Sequence, residues 1–378
     1  MTTFPMSAIK KNNYSKIFHL IYQTEQLNEK LSKQEIALQT NLSLPTVTQN
    51  LKKLLDKTLI IEDGKFSSKG GRKAVAYSLN RFAKIALGIE IFRDSITIVA
   101  IDLLGTAFAK EKRTIAYQND PDYYQRIATI TSEFIKKEEL NEKNILGMGF
   151  GIQGLVSAEG TDIIYGTILQ NTGLSIDVIS HYFEFPCRFV HDAESVALAE
   201  QWKDSSLKDA LILSIGEHLG GALIIDGQLY NGANRRSGTI EHTIIDPKGP
   251  MCYCGKKGCV EVFCSLHTLT VMSNQQLDSF MSLLRSGDIQ AIKQWSTYLN
   301  SLAIALNNFH MFLDNKIILG GEILHYFTEE DLVDLRHLVQ EKNAFPESEN
   351  LIFLGKLKNE AVATGAALTF VRPFLDTF

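Results

Sequence analysis

The 378-residue sequence lacks any apolar run approaching the roughly 18 uninterrupted residues that a membrane-spanning helix requires. Its opening segment, MTTFPMSAIKKNNYSK, lacks the apolar core of a secretory signal. The chain also has no low-complexity tract and no short repeat. Its 45% hydrophobic and 21% charged residues are close to the average of soluble proteins. These features exclude membrane, fibrous and disordered classes and predict a cytoplasmic globular protein.

Cysteine is scarce and clustered. The chain has five cysteines, four of them within residues 252–264, and this odd, crowded set is a poor disulfide framework but a good metal site. Three thiolates and one imidazole complete a tetrahedral, structural zinc site, and Gly255 and Gly258 allow the loop to fold back. The candidate zinc ligands are His242, Cys252, Cys254 and Cys259. Cys264 is a spare thiol, and free cysteines in a loop are the alternative interpretation.

Charge is divided unevenly along the chain. Residues 1–80 contain 12 lysines and arginines against 6 acidic residues, whereas the remainder contains 26 against 37. A basic head on an acidic body suggests a nucleic-acid-binding module attached to a second unit. Ordinary surface variation could explain the charge difference by itself. The residue pattern within the head therefore decides whether the head is a nucleic-acid-binding module.

Hydrophobic periodicity in the head predicts three helices. They run from Tyr14 to Gln26, from Ser32 to about Thr40, and from Ser43 to about Lys57. Ser32 forms a capping box with Glu35, and Asn41 can adopt the left-handed conformation of a tight turn. The residues expected to pack the interior of this helix-turn-helix are Ala37, Leu42, Val47, Leu51 and Leu54.

The third helix is predicted to present hydrogen-bonding and basic groups suited to base edges and phosphates. The candidate DNA contacts on this helix are Pro45, Thr46, Thr48, Gln49, Asn50, Lys52 and Lys53. Residues 59–62 and 74–79 are expected to form a hairpin around an Asp63-Gly64 turn. Its basic tip, residues 67–73, includes Arg72 and Lys73 and is a candidate wing. A helical protein-interaction module with a solvated basic loop remains the alternative.

From Ile85 onward, strands and helices alternate, which is typical of an α/β protein. Strands are predicted at 85–91, 95–103, 144–151, 210–215, 221–225 and 316–319, and helices near 121–137, 193–202 and 295–312. Similar strand-hairpin starts near residues 85 and 210 suggest a duplicated fold.

Several motifs resemble the ROK family (repressors, open reading frames and sugar kinases), in its repressor branch. The most specific is C-x-C-G-x-x-G-C-x-E, which spans Cys252 to Glu261 and has His242 upstream. Further matches are Asp192-Ala193, Gly216 with Gly220-Gly221, Gly320-Gly321 and Gly365-Ala366-Ala367. The resemblance implies an N-terminal winged helix-turn-helix followed by an actin-like, two-lobed domain of the sugar-kinase type. The expected domains are the head at 1–80, a first lobe at 81–192 joined by a C-terminal helix at 366–378, and a second lobe with the zinc loop at 193–365.

The two phosphate-binding turns depart from the family's kinases. In those kinases an acidic residue and Gly-Gly-Thr follow the first strand, but here Phe92 and Arg93 replace both glycines. The second turn, usually Gly-Thr-Gly-Ile-Gly-Gly, contains Glu217 and His218. The glycines allow backbone N–H groups to approach phosphate, and the carboxylates of Asp94 and Glu217 oppose it. We therefore expect kinase activity to be lost.

The resemblance implies a sugar site that is only partly retained. The candidate sugar-binding residues are Asn171, His191, Asp192, Thr239, Glu241, His242 and Glu261. Asp192 matches the family's general base, Thr239 stands where a glutamate is usual, and Glu241 stands where a glycine is usual. The pocket is expected to persist with a ligand that need not be glucose. For each residue the alternative is a structural hydrogen bond, because buried polar groups need partners.

Together these patterns predict a sequence-specific DNA-binding transcriptional regulator, a repressor of carbohydrate-utilisation genes. Its expected partners are a double-stranded DNA operator and a sugar or sugar-phosphate effector, with no membrane partner. A homodimer or homotetramer is expected because helix-turn-helix modules read paired half-sites. Two alternatives remain: an ATP-dependent ROK sugar kinase with an N-terminal extension, and a regulator controlled by a protein partner.

Overall fold

The structure is a computed structural model that describes residues 6–67, 73–345 and 351–378. Its helices are α1 (Met6–Gln26), α2 (Lys33–Thr40), α3 (Leu44–Asp56), α4 (Pro121–Lys137), α5 (Asp177–Ser180), α6 (Asp192–Lys203), α7 (Glu261–Cys264), α8 (Leu266–Ser273), α9 (Leu277–Arg285), α10 (Ile289–Leu313), α11 (Glu329–Lys342) and α12 (Ala361–Leu375). Its strands are β1 (Leu31–Ser32), β2 (Ile60–Lys65), β3 (Val75–Leu79), β4 (Ile85–Ile91), β5 (Ser95–Ile101), β6 (Ala107–Thr114), β7 (Ile145–Ile152), β8 (Leu155–Val156), β9 (Ile163–Tyr165), β10 (Cys187–His191), β11 (Ala210–Ile215), β12 (Leu219–Ile225), β13 (Gln228–Leu229), β14 (Lys316–Gly320) and β15 (Ile352–Leu354). In the part of the chain that these ranges cover, no helix is long and apolar enough to cross a membrane.

The head consists of α1 to α3 and a three-stranded antiparallel sheet in the order β1-β3-β2. Its predicted helix ends are confirmed. Ser32 and Glu35 form the capping box, Asn41 ends α2 at a φ of 54°, and the Ser43 hydroxyl caps α3. These ends were predictable because a cap depends on residues three or four positions apart. Only the start of α1 differs, since this helix begins earlier than predicted.

The predicted Asp63-Gly64 turn is wrong. Strand β2 continues through both residues, and its pairing with β3 shifts between Glu62 and Lys65. Gly64 has a φ of +85° there, so the Asp-Gly pair forms a bulge rather than a turn. The connection to β3 comprises residues 66–74, and residues 68–72 within it, including the candidate DNA contact Arg72, lie outside the described residues.

The body contains two five-stranded sheets of the same topology. Their strand orders are β10-β7-β4-β5-β6 and β13-β12-β11-β14-β15. In each sheet the first three strands in sequence form an antiparallel meander. The fourth strand pairs in parallel with the first, and the fifth pairs in parallel with the fourth. The predicted α/β class and the suggested duplication are both confirmed. We call the half built on β4 to β10 the first lobe and the half built on β11 to β15 the second lobe.

Helices α6 and α12 connect the two lobes. Helix α12 packs against α6 and against β4, β5 and β7, while α6 also contacts β11 and β12. The packing is very close, because an added Cβ at Gly88 would lie 1.8 Å from the Ala363 carbonyl oxygen and one at Gly365 would lie 1.8 Å from that of Ser195. Only glycine fits at such contacts. The chain thus returns to the first lobe at α12. The domain limits predicted from the sequence remain a prediction.

The head shares a hydrophobic core with the first lobe. One buried cluster contains Phe18 and Leu54 of the head together with Val99 and Leu375 of the body. The Phe378 ring stacks on the Phe18 ring at a centroid distance of 3.9 Å. Because burying aromatic surface is a large favourable term, this cluster holds the head against the first lobe.

Candidate functional site

The four predicted metal ligands meet in the second lobe. The ligand atoms of His242, Cys252, Cys254 and Cys259 all lie within 4.8 Å of one another. The sulfur atoms of Cys254 and Cys259 are 3.7 Å apart, and Cys252 Sγ is 3.8 Å from His242 Nδ1. A tetrahedral ion bound by thiolates at ~2.3 Å holds sulfurs roughly 3.8 Å apart. This His/Cys cluster can therefore hold a metal ion, and burial lowers the pKa of His242, which favours the neutral imidazole that metals bind.

Backbone hydrogen bonds explain why the loop closes on itself. The Cys252 amide donates to the Lys256 carbonyl at 2.8 Å, and the Gly258 amide donates to the Pro250 carbonyl at 2.8 Å. Gly258 has a φ of +74°, and an added Cβ there would lie 1.5 Å from the Asp246 carbonyl oxygen. No larger residue fits, which confirms the predicted role of this glycine.

A cavity of about 370 Å³ lies beside the cluster, within the usual size of small-ligand sites. Segments of both lobes line it. The first lobe contributes the loops after β7 and β9, and the second contributes the β11–β12 turn and the metal loop. Five of the predicted sugar contacts line the cavity: His191, Asp192, Thr239, Glu241 and His242.

The other two predicted sugar contacts support the cavity from behind. Asn171 is fully buried, and its amide donates to the Gln153 carbonyl at 3.1 Å. The Glu261 carboxylate accepts from His218 Nδ1 at 2.7 Å and from the Leu219 amide at 2.8 Å. Neither residue lines the cavity, and their contact with a ligand remains a prediction.

The cavity also has lining residues that were not predicted as contacts. They include Gln153, Tyr165, His218, Arg236 and Tyr253. Tyr253 lies between two predicted metal ligands, so its position in sequence was a usable signal. The sequence marks His218 only as a departure from a phosphate turn, and no sequence pattern indicates its contact with Glu261.

The cavity is lined by two carboxyl groups, Asp192 and Glu241, together with hydroxyl, amide and imidazole groups. Asp192 begins α6, and its Oδ1 lies 2.8 Å from the Ala193 amide and 3.1 Å from His191 Nε2. Glu241 is buried, and its Oε2 has no hydrogen-bond partner among the described residues. Burial, with the charges of Glu261 and Asp192 adding to it, raises the pKa of Glu241 to about 8. Such a surface suits a ligand that carries several hydroxyl groups.

A second cavity of about 670 Å³ lies along the two turns that the sequence predicts to depart from the family's phosphate turns. Phe92, Arg93 and Asp94 line it from the first lobe, and Glu217 and His218 line it from the second. Buried Glu90 also faces it; burial, together with the charge of Asp192, raises the pKa of Glu90 to about 8. The carboxylates of Asp94 and Glu217 oppose a phosphate group here, whereas Arg93, Lys110, Lys112 and Lys358 of the same lining are cations.

The candidate DNA face of α3 is largely exposed. The exposed residues are Pro45, Thr48, Gln49, Lys52 and Lys53, with Lys73 exposed on the hairpin. Thr46 is half-buried, with its hydroxyl 2.8 Å from that of Ser43. The outward placement of Asn50 is wrong, because Asn50 is buried and its amide donates to the Thr46 carbonyl at 2.9 Å.

A duplicated α/β fold, with a cleft between its halves, is the actin-like architecture of the sugar-kinase type. The ROK family model matches residues 86–372, about three quarters of the chain. The chain therefore belongs to the ROK family.

Named relatives match the chain beyond the region of the family model. The xylose repressor of Caldicellulosiruptor bescii is 26% identical, with 94% of this chain and 96% of that protein covered. The DNA-binding transcriptional dual regulator NagC of Escherichia coli is 25% identical, with 87% and 84% covered.

Two solved structures share the fold. A ROK family transcriptional regulator, a homologue of the E. coli MLC protein, has a TM-score of 0.75 at 20% identity and covers 98% of this chain and 97% of its own. A ROK family glucokinase from Streptomyces griseus, in complex with glucose and AMPPNP, has a TM-score of 0.65 at 17% identity and covers 75% and 98%.

Proposed function

We propose that the chain is a sugar-responsive DNA-binding transcriptional regulator, a repressor of carbohydrate-utilisation genes. The observation that carries the proposal is the hydrophobic core that the head shares with the first lobe. The first lobe in turn lines the cleft cavity together with the second lobe. This arrangement connects a ligand-sized cavity to a DNA-binding surface. Relatives named as repressors that match nearly their whole length support it. The proposal places the protein in the cytoplasm, where its operator would lie.

The head would bind a double-stranded operator through α3. Its exposed Lys52 and Lys53 suit phosphates, and the neighbouring Gln49 suits a base edge. The hairpin would add Arg72 and Lys73 as a wing. One head covers one half-site, so the proposal includes a homodimer or homotetramer.

The effector would act by favouring one arrangement of the two lobes. A ligand shifts such an equilibrium only if it binds one arrangement better, and a cavity lined by both lobes provides that difference. Because α12 packs on the first lobe and next to the head's core, a change in lobe angle would reach the head. We retain the predicted limits of 1–80, 81–192 with 366–378, and 193–365 as the moving units.

The metal would be structural zinc. Three thiolates and an imidazole leave no position for substrate, so bound zinc would supply a cross-link rather than catalysis. His242 lies in the cluster and also lines the cavity, and Tyr253 lies between two of the ligands. Metal loss is therefore expected to weaken effector binding.

Sugar kinase activity would be absent. Phosphoryl transfer needs backbone donors and cations around the phosphates. Here Phe92, Arg93 and His218 stand where the kinases have glycines, so backbone donors are kept from the phosphates. The carboxylates of Asp94, Glu217 and Glu322 line the same cavity and would offset its cations, which are Arg93, Lys110, Lys112 and Lys358.

The proposal is tested by selecting duplexes that the full chain binds from fragmented source DNA, with and without neutral sugars and sugar phosphates. We expect enrichment of a palindrome whose binding one sugar changes. Enrichment that no sugar alters would support control by a protein partner, and no enrichment at any salt would reject the regulator function. The DNA-binding face of α3 is checked with Lys52→Ala combined with Lys53→Ala. This variant is expected to reduce the slope of the logarithm of the DNA-binding constant against the logarithm of the salt concentration by about two units.

A further inference from the structure

The turn between β11 and β12 carries an imidazole in an unusual setting. The His218 ring is held from behind, with Nδ1 2.7 Å from Glu261 Oε1. The second oxygen of Glu261 accepts from the Leu219 amide at 2.8 Å, which fixes the carboxylate in turn. The contact spans 43 positions and joins the turn to the start of α7, next to the metal loop.

The other side of the imidazole is unsatisfied. His218 lines the 370 Å³ cavity, and its Nε2 is buried with no partner among the described residues. Glu241 lines the same cavity, and its Oε2 is also buried without a partner among the described residues. Buried polar atoms are almost always hydrogen-bonded, so unpaired atoms on two residues that line the same cavity indicate a missing polar ligand.

A hydroxyl group is the partner that suits both atoms. Nε2 accepts a hydrogen bond when the imidazole is neutral and donates one when it is charged, and a hydroxyl can respond to either. Charge disfavours a phosphate in the interior of the cavity, because the Asp192 carboxylate lines it and Glu261 lies directly behind His218. The one arginine of the lining, Arg236, is exposed.

From this geometry we infer that His218 binds a hydroxyl of the effector, that Glu261 acts on the ligand only through His218, and that the effector is a neutral sugar rather than a sugar phosphate. Glu261 is then a positioning residue. The inference rests on the proposed function, since it assigns the recognition chemistry of the same cavity.

The test is calorimetric titration of the full-length protein with D-xylose, D-glucose, N-acetyl-D-glucosamine and glucose 6-phosphate. We expect at least one neutral sugar to bind and His218→Ala to weaken its binding about tenfold or more. Glu261→Gln is expected to weaken binding in the wild type but to add nothing in the His218→Ala background. The matched control is His267→Ala, which removes an exposed histidine whose ring centroid lies 6.5 Å from that of His218.

Monodeoxy analogues of the bound sugar give a readout that does not depend on the Glu261 variant. One analogue should bind the wild type more weakly than the parent sugar but bind His218→Ala as well as the parent does. An equal loss for every analogue in both proteins would overturn the role of His218. Additive effects of Glu261→Gln and His218→Ala would overturn the positioning role.

The outcomes separate this inference from the proposed function. If a neutral sugar binds the wild type and His218→Ala alike, only the inference fails. If glucose 6-phosphate binds more tightly than every neutral sugar, the ligand class is wrong while effector sensing stands. If no compound of the panel binds the wild type, the inference fails, and duplex selection with the wider sugar set decides the proposed function.

Discussion

The two lobes share a strand order but differ in what is inserted between the strands. A single long helix, α4, connects β6 to β7 in the first lobe, whereas the corresponding connection from β13 to β14 contains α7 to α10 and the whole metal loop. All four cluster ligands lie in this unshared connection. The duplicated sheets thus supply a frame, and the chemistry lies in segments that only one copy has.

Equivalent positions within the two sheets also differ. Glu90 of β4 and Ser214 of β11 have the same register in their hairpins, each one pair before the last. Two residues earlier, Gly88 of the first lobe corresponds to Ile212 of the second. The first lobe must accept α12 at Gly88, while Ile212 packs in an ordinary core. Four variants test these differences and the contact between the head and the first lobe.

The largest effect is expected from removing the cluster of the second lobe. Cys254→Ser with Cys259→Ser leaves too few thiolates for a closed site. We expect loss of about one bound zinc per chain and a fall in the free energy of unfolding of about 4 kcal/mol or more. Metal analysis and thermal unfolding measure both. Cys187→Ser in the first lobe is the control, and an equal loss in that variant would show that the cluster is not the metal site.

The next effect concerns the seat of α12 on the first lobe. Gly88→Ala places a methyl group 1.8 Å from the Ala363 carbonyl oxygen, so the helix must move. We expect a loss of about 3 kcal/mol in unfolding free energy, measured by chemical denaturation. Ile212→Val at the matching position of the second lobe should cost about 1 kcal/mol. Equal costs would contradict the assigned difference between the lobes.

A smaller effect is expected from Glu90. Its pKa rises from 4.5 in the unfolded chain to about 8 in the folded protein, chiefly through burial. Between these values the folded state holds a proton that the unfolded state has lost, so stability falls as pH rises from about 4.5 to about 8. Glu90→Gln cannot titrate and should remove the part of this slope that Glu90 contributes, gaining on the order of 2 kcal/mol at pH 8 and little at pH 5.

Unfolding measured at several pH values checks this prediction. Ser214→Ala, the equivalent position of the second lobe, is the control and should keep the wild-type slope. A Glu90→Gln profile parallel to that of the wild type would mean that Glu90 titrates normally.

The smallest effect is expected where the head meets the first lobe. Phe378→Ala removes the ring that stacks on Phe18, at a cost of about 1.5 kcal/mol. Amide hydrogen exchange should increase in α1 and β3 but not in the second lobe. Phe345→Ala, which removes an exposed ring of the second lobe, should change neither region. Unchanged exchange in α1 would show that Phe378 does not hold the head.

The features that the sequence predicted are local ones. The caps at Ser32 and Asn41 and the spacing of the three loop cysteines depend on residues a few positions apart. The Asp63-Gly64 pair has the composition of a turn, but the strand pairing on either side converted it to a bulge. The contact between His218 and Glu261 spans 43 positions, and only the fold brings these residues together.

The central claim is that a sugar in the cleft and DNA at the head are thermodynamically coupled. The most direct measurement is the affinity of the full chain for its selected duplex, with and without saturating sugar, together with its sugar affinity with and without the duplex. The account predicts that both affinities change by the same factor, about fivefold or more, because linkage is reciprocal. The claim would be contradicted if sugar and duplex both bind the protein and neither changes the affinity for the other.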